Sequence, residues 1–211
     1  MMIGVIDYGM GNLFSVSKAL ERIHVEYKLG DRPQAIEGCD GYILPGVGAF
    51  PDAISALEEH DFIDFIKEKV TDGVPVYGIC LGMQLLFDSS EEGGRNTNGL
   101  GLFPGTITRF PGIDEQGRSY KVPHMGWNEL EIHHPGKALM TDVEEDHVYF
   151  VHSFVVKTEE SSILYATADY HMEVPAIVGK GNLVASQFHP EKSGKPGMQL
   201  LENFCKVMCK Q

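Results

Sequence analysis

The first half of the chain alternates short apolar runs with longer stretches in which apolar residues recur at helical spacing. The runs at residues 3–6, 25–29, 41–44 and 74–79 predict strands, whereas residues 13–23 and 53–70 predict helices, with a break near His60. Strands that alternate with helices indicate right-handed crossovers and a parallel sheet with helices on both faces. Sites in such sheets form at the carboxyl ends of the strands.

In the second half, helical periodicity fades and strand-like segments take over. We predict strands at residues 105–110, 128–132, 147–150, 163–166, 176–179 and 183–187, and a last helix near residues 195–209. The fold class is therefore three-layer α/β, with a mostly parallel central sheet flanked by helices and additional antiparallel strands in the C-terminal half. A length of 211 residues with 43% hydrophobic content fits one domain, residues 1–211.

The charge balance argues against a nucleic-acid partner. The formal net charge is −13 and no cluster of Lys or Arg stands out, whereas nucleic-acid binding requires a basic patch. No stretch resembles a signal peptide or a membrane span, since the N-terminus passes directly into the first predicted strand. We therefore expect a cytoplasmic protein whose thiols are reduced.

The four cysteines are Cys39, Cys80, Cys205 and Cys209. Cys205 and Cys209 lie four residues apart in the predicted last helix, and no second Cys/His pair at ligand spacing accompanies them. We predict that these two cysteines pack within the fold. We expect no metal site and no cofactor.

The segment around Cys80 has the form glycine, any residue, nucleophile, any residue, glycine. It follows the predicted strand at 74–79 and precedes a helix-like apolar run at 83–87, which is the arrangement of a nucleophile elbow. A cysteine at the tip of such a turn points to covalent thiolate chemistry. A buried structural cysteine in a glycine-rich turn is the alternative.

A nucleophilic thiol needs a base, and the base needs a group that orients it. His189 ends a predicted strand, and Glu191 lies on the same side of an extended chain because residues two apart share a face. Glu191 can therefore fix the tautomer of His189, and the imidazolium would lower the pKa of Cys80. A surface His-x-Glu pair without function is the alternative.

Acyl chemistry also needs hydrogen-bond donors for an oxyanion. The elbow supplies the backbone N–H of Leu81. A second donor is expected from the glycine-rich segment Pro45-Gly46-Val47-Gly48, which follows the predicted strand at 41–44. An ordinary strand-to-helix turn is the alternative for that segment.

Three segments together resemble the class I (triad) glutamine amidotransferases. They are Gly78-Ile79-Cys80-Leu81-Gly82-Met83-Gln84, Pro45-Gly46-Val47-Gly48 and His189-Pro190-Glu191. Two more segments narrow the resemblance to the glutaminase subunits of imidazole glycerol phosphate synthases, of histidine biosynthesis. They are Ile6-Asp7-Tyr8-Gly9-Met10-Gly11-Asn12-Leu13 and Pro123-His124-Met125-Gly126-Trp127-Asn128. The resemblance covers essentially the whole chain and implies a flavodoxin-like core.

The resemblance implies a role for each matching residue. Cys80 would attack the carboxamide of glutamine and release ammonia through a thioester, with His189 as acid and base and Glu191 orienting it. Gly48 and Gln84 would hold the glutamine. Val47, Gly48 and Leu81 would form the oxyanion hole, and the segment around Val47 would reorient when a partner subunit is loaded.

Ammonia chemistry requires a partner, because ammonium in neutral water is not a nucleophile and no segment of the chain is visible for an acceptor substrate. The resemblance implies a (β/α)8-barrel cyclase subunit that uses the ammonia to make imidazole glycerol phosphate and aminoimidazole carboxamide ribotide. We predict a docking face at His124, Met125, Trp127 and Asn128, since tryptophan is enriched in interface hot spots. A core position for Trp127 is the alternative.

Three other functions are weighed against this one. A glutaminase subunit for anthranilate, aminodeoxychorismate or guanylate synthesis would lack the two narrowing segments. A non-catalytic module of the same fold would have lost Cys80, His189 or Glu191, and all three are present. A cysteine peptidase of similar fold is the weakest option.

Overall fold

The largest sheet combines strands from both ends of the chain. The computed structural model describes residues 1–94, 96–134 and 137–209. Parallel pairing joins β1 (Met2–Ile6), β2 (Glu26–Gly30), β3 (Gly41–Gly46), β4 (Val76–Cys80) and β14 (Leu183–Ser186) in the order β2-β1-β3-β4-β14. The sheet continues antiparallel through β13 (Glu173–Lys180), β12 (Leu164–Asp169) and β9 (Glu131–Ile132).

Helices cover both faces of this sheet. One face packs against α1 (Leu13–Arg22) and α6 (Gly194–Asn203), which contribute Leu20 and Leu200 to the same core cluster as Ile3 of β1. The other face packs against α2 (Pro33–Ile36), α3 (Phe50–Glu59) and α4 (Phe62–Thr71), whose buried side chains cluster with Leu44. The predicted three-layer α/β fold with a mixed sheet is therefore confirmed.

Two smaller sheets lie beside the main one. The four-stranded sheet consists of β5 (Phe87–Ser90), β6 (Thr97–Asn98), β7 (Phe103–Arg109) and β11 (Phe154–Lys157). The two-stranded sheet pairs β8 (His124–Glu129) antiparallel to β10 (His147–His152). No helix among the described residues is long and apolar enough to cross a bilayer. The single domain over residues 1–211 stays a prediction.

Three predicted elements differ from the structure. The helix after Cys80, α5, covers only Leu81–Leu85, and the apolar run continues as β5 from Phe87. This run is buried on all sides, so hydrophobic periodicity cannot separate its helical part from its extended part. The strand predicted at 128–132 is divided at the buried Leu130, where the chain passes from the small sheet to the main one.

The third difference lies at the C-terminus. Instead of one helix to residue 209, α6 ends at Asn203 and a π-helical turn follows over Phe204–Met208. Cys205 is buried in this turn and Cys209 is half-buried, so both pack within the fold as predicted. All four cysteines are free thiols.

Candidate active site

Cys80 sits at a strained turn between β4 and α5. Its backbone angles are φ 55° and ψ −110°, in the region that L-residues rarely occupy outside tight functional turns. The turn requires glycine at Gly82, since a Cβ there would lie 1.9 Å from the carbonyl oxygen of Leu44 on β3. The side chain of Cys80 is buried but lines a cavity, which is the geometry of a nucleophile elbow.

His189 reaches Cys80 because β14 pairs in parallel with β4, which ends at the cysteine. Cys80 and His189 line the same cavity, and Nδ1 of His189 lies 2.8 Å from Oε1 of the buried Glu191. Burial alone would lower the pKa of His189, but its interactions with Cys80 and Glu191 outweigh it and raise this pKa to about 9. The structure thus brings the three residues of the predicted triad together.

Hydrogen bonds to β10 and to Ser193 hold the backbone around His189 in place. The N–H of His189 donates to the carbonyl oxygen of Tyr149 at 3.2 Å, and the N–H of Tyr149 donates to Oγ of Ser193 at 3.0 Å. The Ser193 hydroxyl in turn donates to the carbonyl oxygen of His189 at 2.7 Å. These bonds fix the main chain that carries the imidazole. No pattern in the sequence pointed to Ser193.

A cavity of about 370 Å³ opens beside Cys80, a volume in the usual range for small-molecule sites. Its lining includes Val47, Gly48, Gln84 and Glu92. A larger groove of about 800 Å³ lies along β7 and β11, but its lining contains no cysteine or histidine and shares no residue with the cavity beside Cys80. The chemistry therefore belongs to the smaller cavity.

The predicted oxyanion segment lies at the cavity, but one of its donors is already in use. The N–H of Val47 donates to the carbonyl oxygen of Met10 at 3.0 Å, so in this conformation it cannot donate to an oxyanion. Gly48 follows with φ of 103°, which favours glycine. Leu81, whose N–H is the third predicted donor, begins α5 directly after the nucleophile.

Gln84 is buried at the cavity, as the sequence predicted for a glutamine-binding residue, but its neighbour Gln187 was missed. Nε2 of Gln84 donates to the carbonyl oxygen of Phe154 at 3.1 Å and to Oε1 of Gln187 at 3.0 Å. Nε2 of Gln187 lies 3.9 Å from Sγ of Cys80. Its position two residues before His189, at the end of the strand predicted over 183–187, was the available signal.

Two more side chains near the site carried no clear sequence signal. His152 lines the cavity, although its place beside a predicted strand indicated only a structural role. Tyr8 is buried near Cys80, and its hydroxyl has no hydrogen-bond partner in the described part of the chain. Burial, and to a smaller extent the charge of Cys80, raises the pKa of Tyr8 far above its ordinary value.

The predicted docking residues divide between surface and interior. Met125 is 61% exposed and Trp127 is 58% exposed, so the core alternative for Trp127 is wrong. Trp127 packs edge-on against Tyr149 across the β8–β10 pair. The prediction that His124 faces a partner needs correction, because alternation along β8 turns it inward and leaves it 2% exposed. Asn128 is half-buried and donates to the carbonyl oxygen of Asp169.

A sequence profile described as "Glutamine amidotransferase class-I" matches residues 4–208. The chain belongs to the class-I glutamine amidotransferase family. Curated relatives within this family bear the name "Imidazole glycerol phosphate synthase subunit HisH". One from Halalkalibacterium halodurans is 57% identical over 96% of this chain and 94% of its own length. Relatives from Geobacillus sp. (55% identical, 98% of this chain and 97% of the other) and Bacillus subtilis (50%, 100% and 98%) carry the same name.

Solved structures show the same class-I amidotransferase fold. "Crystal structure of glutamine amidotransferase" superposes with a TM-score of 0.74 at 21% identity, over 99% of both chains. "Structure of PurLQS from Thermotoga maritima" gives 0.72 at 17% identity, over 96% of both. The comparisons confirm the predicted family, fold class and enzyme class. They also confirm the predicted function, that of a glutaminase subunit of imidazole glycerol phosphate synthase.

Proposed function

We propose that Cys80, His189 and Glu191 form the catalytic triad of the glutaminase. The observation that carries this proposal is the position of His189, which lines the same cavity as Cys80 and lies 2.8 Å from Glu191, with a pKa raised to about 9. At neutral pH such an imidazole holds its proton next to the sulfur, and an imidazolium is the electrostatic partner that a thiolate nucleophile requires.

The reaction then follows from this arrangement. The thiolate of Cys80 attacks the carboxamide carbon of glutamine, and the carbonyl oxygen becomes an oxyanion. His189 donates its proton to the nitrogen as the carbon–nitrogen bond breaks, so ammonia leaves and a thioester with Cys80 remains. His189, now neutral, takes a proton from water as that water attacks the thioester, which gives glutamate and restores the thiolate.

The oxyanion is proposed to bind to the N–H of Leu81 and to a donor from the Val47–Gly48 segment. Rotation of the Val47 peptide would release its N–H from the Met10 carbonyl and turn it toward the cavity. Gly46 and Gly48 on either side of Val47 ease this rotation because they lack a Cβ. The segment would thus gate glutaminase activity, as the sequence hypothesis states.

Glutamine is proposed to bind along Gly48 and Gln84 in the cavity. Glu92 adds a carboxylate to the same lining, and its Oε2 accepts from the backbone N–H of Phe50 at 2.8 Å. A fixed carboxylate at the cavity suits the α-ammonium group of an amino-acid substrate, because the two carry opposite charges.

The ammonia is proposed to pass to a (β/α)8-barrel cyclase subunit in a heterodimer. The names of the relatives describe each of them as a subunit of imidazole glycerol phosphate synthase, which supports a second chain. The exposed Met125 and Trp127 supply apolar contact area on β8, and the half-buried Asn128 contacts the buried His124 on the other face of that strand. We also propose a cytoplasmic location, since the nucleophile must stay a free thiol and reducing compartments keep it so.

Labelling and turnover test the proposal together. A glutamine-mimicking electrophile should modify Cys80, and mass spectrometry should find the adduct on the peptide that contains it. Ammonia release from glutamine should rise when the cyclase subunit and its nucleotide ligand are added. Cys80→Ala should abolish both signals, whereas Cys39→Ala, which removes a buried thiol elsewhere, should retain them. Labelling of another cysteine, or turnover that survives Cys80→Ala, would overturn the triad.

A further inference from the structure

Two buried histidines on neighbouring strands are linked by a hydrogen bond. Nδ1 of His124 on β8 lies 3.0 Å from Nε2 of His152 on β10, and the two residues face each other in the strand pairing. Nδ1 of His152 lies 2.7 Å from the carbonyl oxygen of Phe154, and Nδ2 of Asn128 lies 3.3 Å from Nε2 of His124. Three side chains and the backbone carbonyl of Phe154 thus form a continuous hydrogen-bonded series from β8 to β11.

The partners in this series fix where each hydrogen sits. A carbonyl oxygen only accepts, so His152 must carry its hydrogen on Nδ1 and donate to Phe154. Burial lowers the pKa of His152 to about 3 and that of His124 to about 4, so both rings are neutral at neutral pH. Nε2 of His152 therefore accepts from Nδ1 of His124, and Nε2 of His124 accepts from the amide of Asn128.

Asn128 has only one orientation that fits its contacts. Its Nδ2 donates to the carbonyl oxygen of Asp169 at 2.7 Å, and its Oδ1 accepts from the backbone N–H of Glu129 at 2.9 Å. His124 is also held sterically, stacked between Tyr170 and Phe150 with ring centroids 4.0 Å and 4.5 Å away. The hydrogen bonds of this series therefore all run in one direction, from Asn128 through His124 and His152 to the carbonyl of Phe154.

The Phe154 carbonyl is shared with the glutamine-binding residue. It accepts from His152 and also from Nε2 of Gln84, and the second hydrogen of that amide goes to Oε1 of Gln187. With both hydrogens of Nε2 in use, Oε1 is the atom with which Gln84 can bind a ligand in the cavity. If the Phe154 carbonyl were displaced, the side-chain amide of Gln84 could rotate and direct Nε2 instead of Oε1 toward the ligand.

We propose that His124 and His152 are positioning residues for glutamine binding: they hold the Phe154 carbonyl, which orients Gln84 so that its Oε1 accepts a hydrogen bond from the substrate. This inference rests on the proposed function, because it takes glutamine as the ligand of the cavity. Neither histidine acts on the reacting bond, so their loss should weaken substrate binding and leave the chemical step intact.

His124→Phe, in the complex with the cyclase subunit and its nucleotide ligand, tests this inference. Phenylalanine keeps a ring between Tyr170 and Phe150 but cannot donate to His152. Ammonia release measured against glutamine concentration should show KM raised about five- to tenfold, as for the loss of one buried hydrogen bond, with kcat unchanged. The matched control is His133→Phe. This variant loses a side-chain hydrogen bond to Thr167, which does not belong to the His124–His152 hydrogen-bond series, and should keep the wild-type KM.

An unchanged KM in His124→Phe, or a lowered kcat with unchanged KM, overturns the positioning role. The glutaminase proposal still stands in that case, provided that the wild-type complex releases ammonia. A wild-type complex that releases no ammonia overturns both. If His124→Phe does not fold, ¹⁵N NMR of the wild-type imidazoles decides. Both rings should be Nδ1–H tautomers, and the His124 Nδ1 resonance should shift when a glutamine analogue fills the cavity. Another tautomer, or no shift, counts against the inference.

Discussion

The backbone N–H of Val47 and the carbonyl oxygen of Met10 are hydrogen-bonded at 3.0 Å, which ties the predicted oxyanion segment to the loop after β1. Glutaminase activity that uses Val47 as a donor therefore requires this bond to break. The side chain of Val47 is 41% exposed, so little packing opposes the rotation of its peptide. The conformation of the segment is therefore determined mainly by its backbone, through the hydrogen bond to Met10 and the positive φ of Gly48.

Gly48→Ala should alter turnover because Gly48 has φ of 103° and a Cβ there would lie 2.7 Å from the end of the Met10 side chain. An L-residue in this conformation costs about 1–3 kcal/mol, so the segment should leave its present geometry. Because the Val47 N–H is then less firmly held by Met10, we expect ammonia release without the cyclase subunit to rise and activation by the partner to shrink, measured with and without that subunit. Gly38→Ala is the matched control, since Gly38 also has positive φ but its Cβ would meet no atom within 4 Å. Equal turnover in both variants would argue against gating.

Glu191→Gln should lower kcat by about 100-fold or more, the usual scale for disabling an acid–base group. The glutamine can still accept a hydrogen bond, but it carries no charge, and Glu191 is one of the groups that raise the pKa of His189. The alkaline limb of the pH profile for ammonia release should therefore move to lower pH. Glu202→Gln, in an exposed pair with Lys206, should leave the profile unchanged. A wild-type profile in Glu191→Gln would remove Glu191 from the triad.

The raised pKa of His189 also predicts how stability depends on pH. Its folded-state pKa of about 9 lies above the ordinary value of 6.5, so the bound proton stabilises the fold fully below about pH 6.5. This contribution is lost as pH rises through 9. The difference in unfolding free energy between wild type and His189→Gln, from urea titrations, should shrink across that interval. A difference that grows with pH would contradict the protonated imidazole.

The triad was predictable because its chemistry depends on short local signals. Cys80 lies in a five-residue turn with a characteristic glycine pattern, and Glu191 lies two residues from His189 on an extended chain. Parallel alternation in the first half then placed the elbow at the carboxyl end of a strand. These features are encoded within a few residues, so periodicity and turn chemistry were sufficient.

The supporting contacts were not predictable, because they join strands that are distant in sequence. Gln187 meets Gln84 across 103 positions, and His124 meets His152 only through the pairing of β8 with β10. The inward orientation of His124 depends on the register of that pair, and a shift of one residue would have exposed it. Local patterns do not determine such a register.

Tyr8→Phe should not destabilise the fold and should raise its free energy of unfolding. The Tyr8 hydroxyl is buried and unpartnered among the described residues, and such a group costs about 1–3 kcal/mol of desolvation. Tyr77→Phe is the contrasting control, since the Tyr77 hydroxyl donates to Oγ of Ser186 at 3.2 Å and its removal should destabilise by about 0.5–1.5 kcal/mol. Chemical denaturation should give opposite signs. Equal losses in both variants would mean that Tyr8 also makes a stabilising bond.

Trp127→Ala should weaken association with the cyclase subunit and leave the melting temperature almost unchanged. The side chain is 58% exposed and packs mainly against Tyr149, so the monomer loses little burial. A hot-spot tryptophan contributes about 2 kcal/mol or more to the binding free energy. Its loss should therefore raise the Kd about 30-fold in a titration of the two subunits. Leu29→Ala is the control, because Leu29 is 46% exposed but lies on β2, at the edge of the main sheet opposite β9. A lower melting temperature with unchanged Kd would place the docking face elsewhere, and equal weakening by both variants would mean that the contact extends across the molecule.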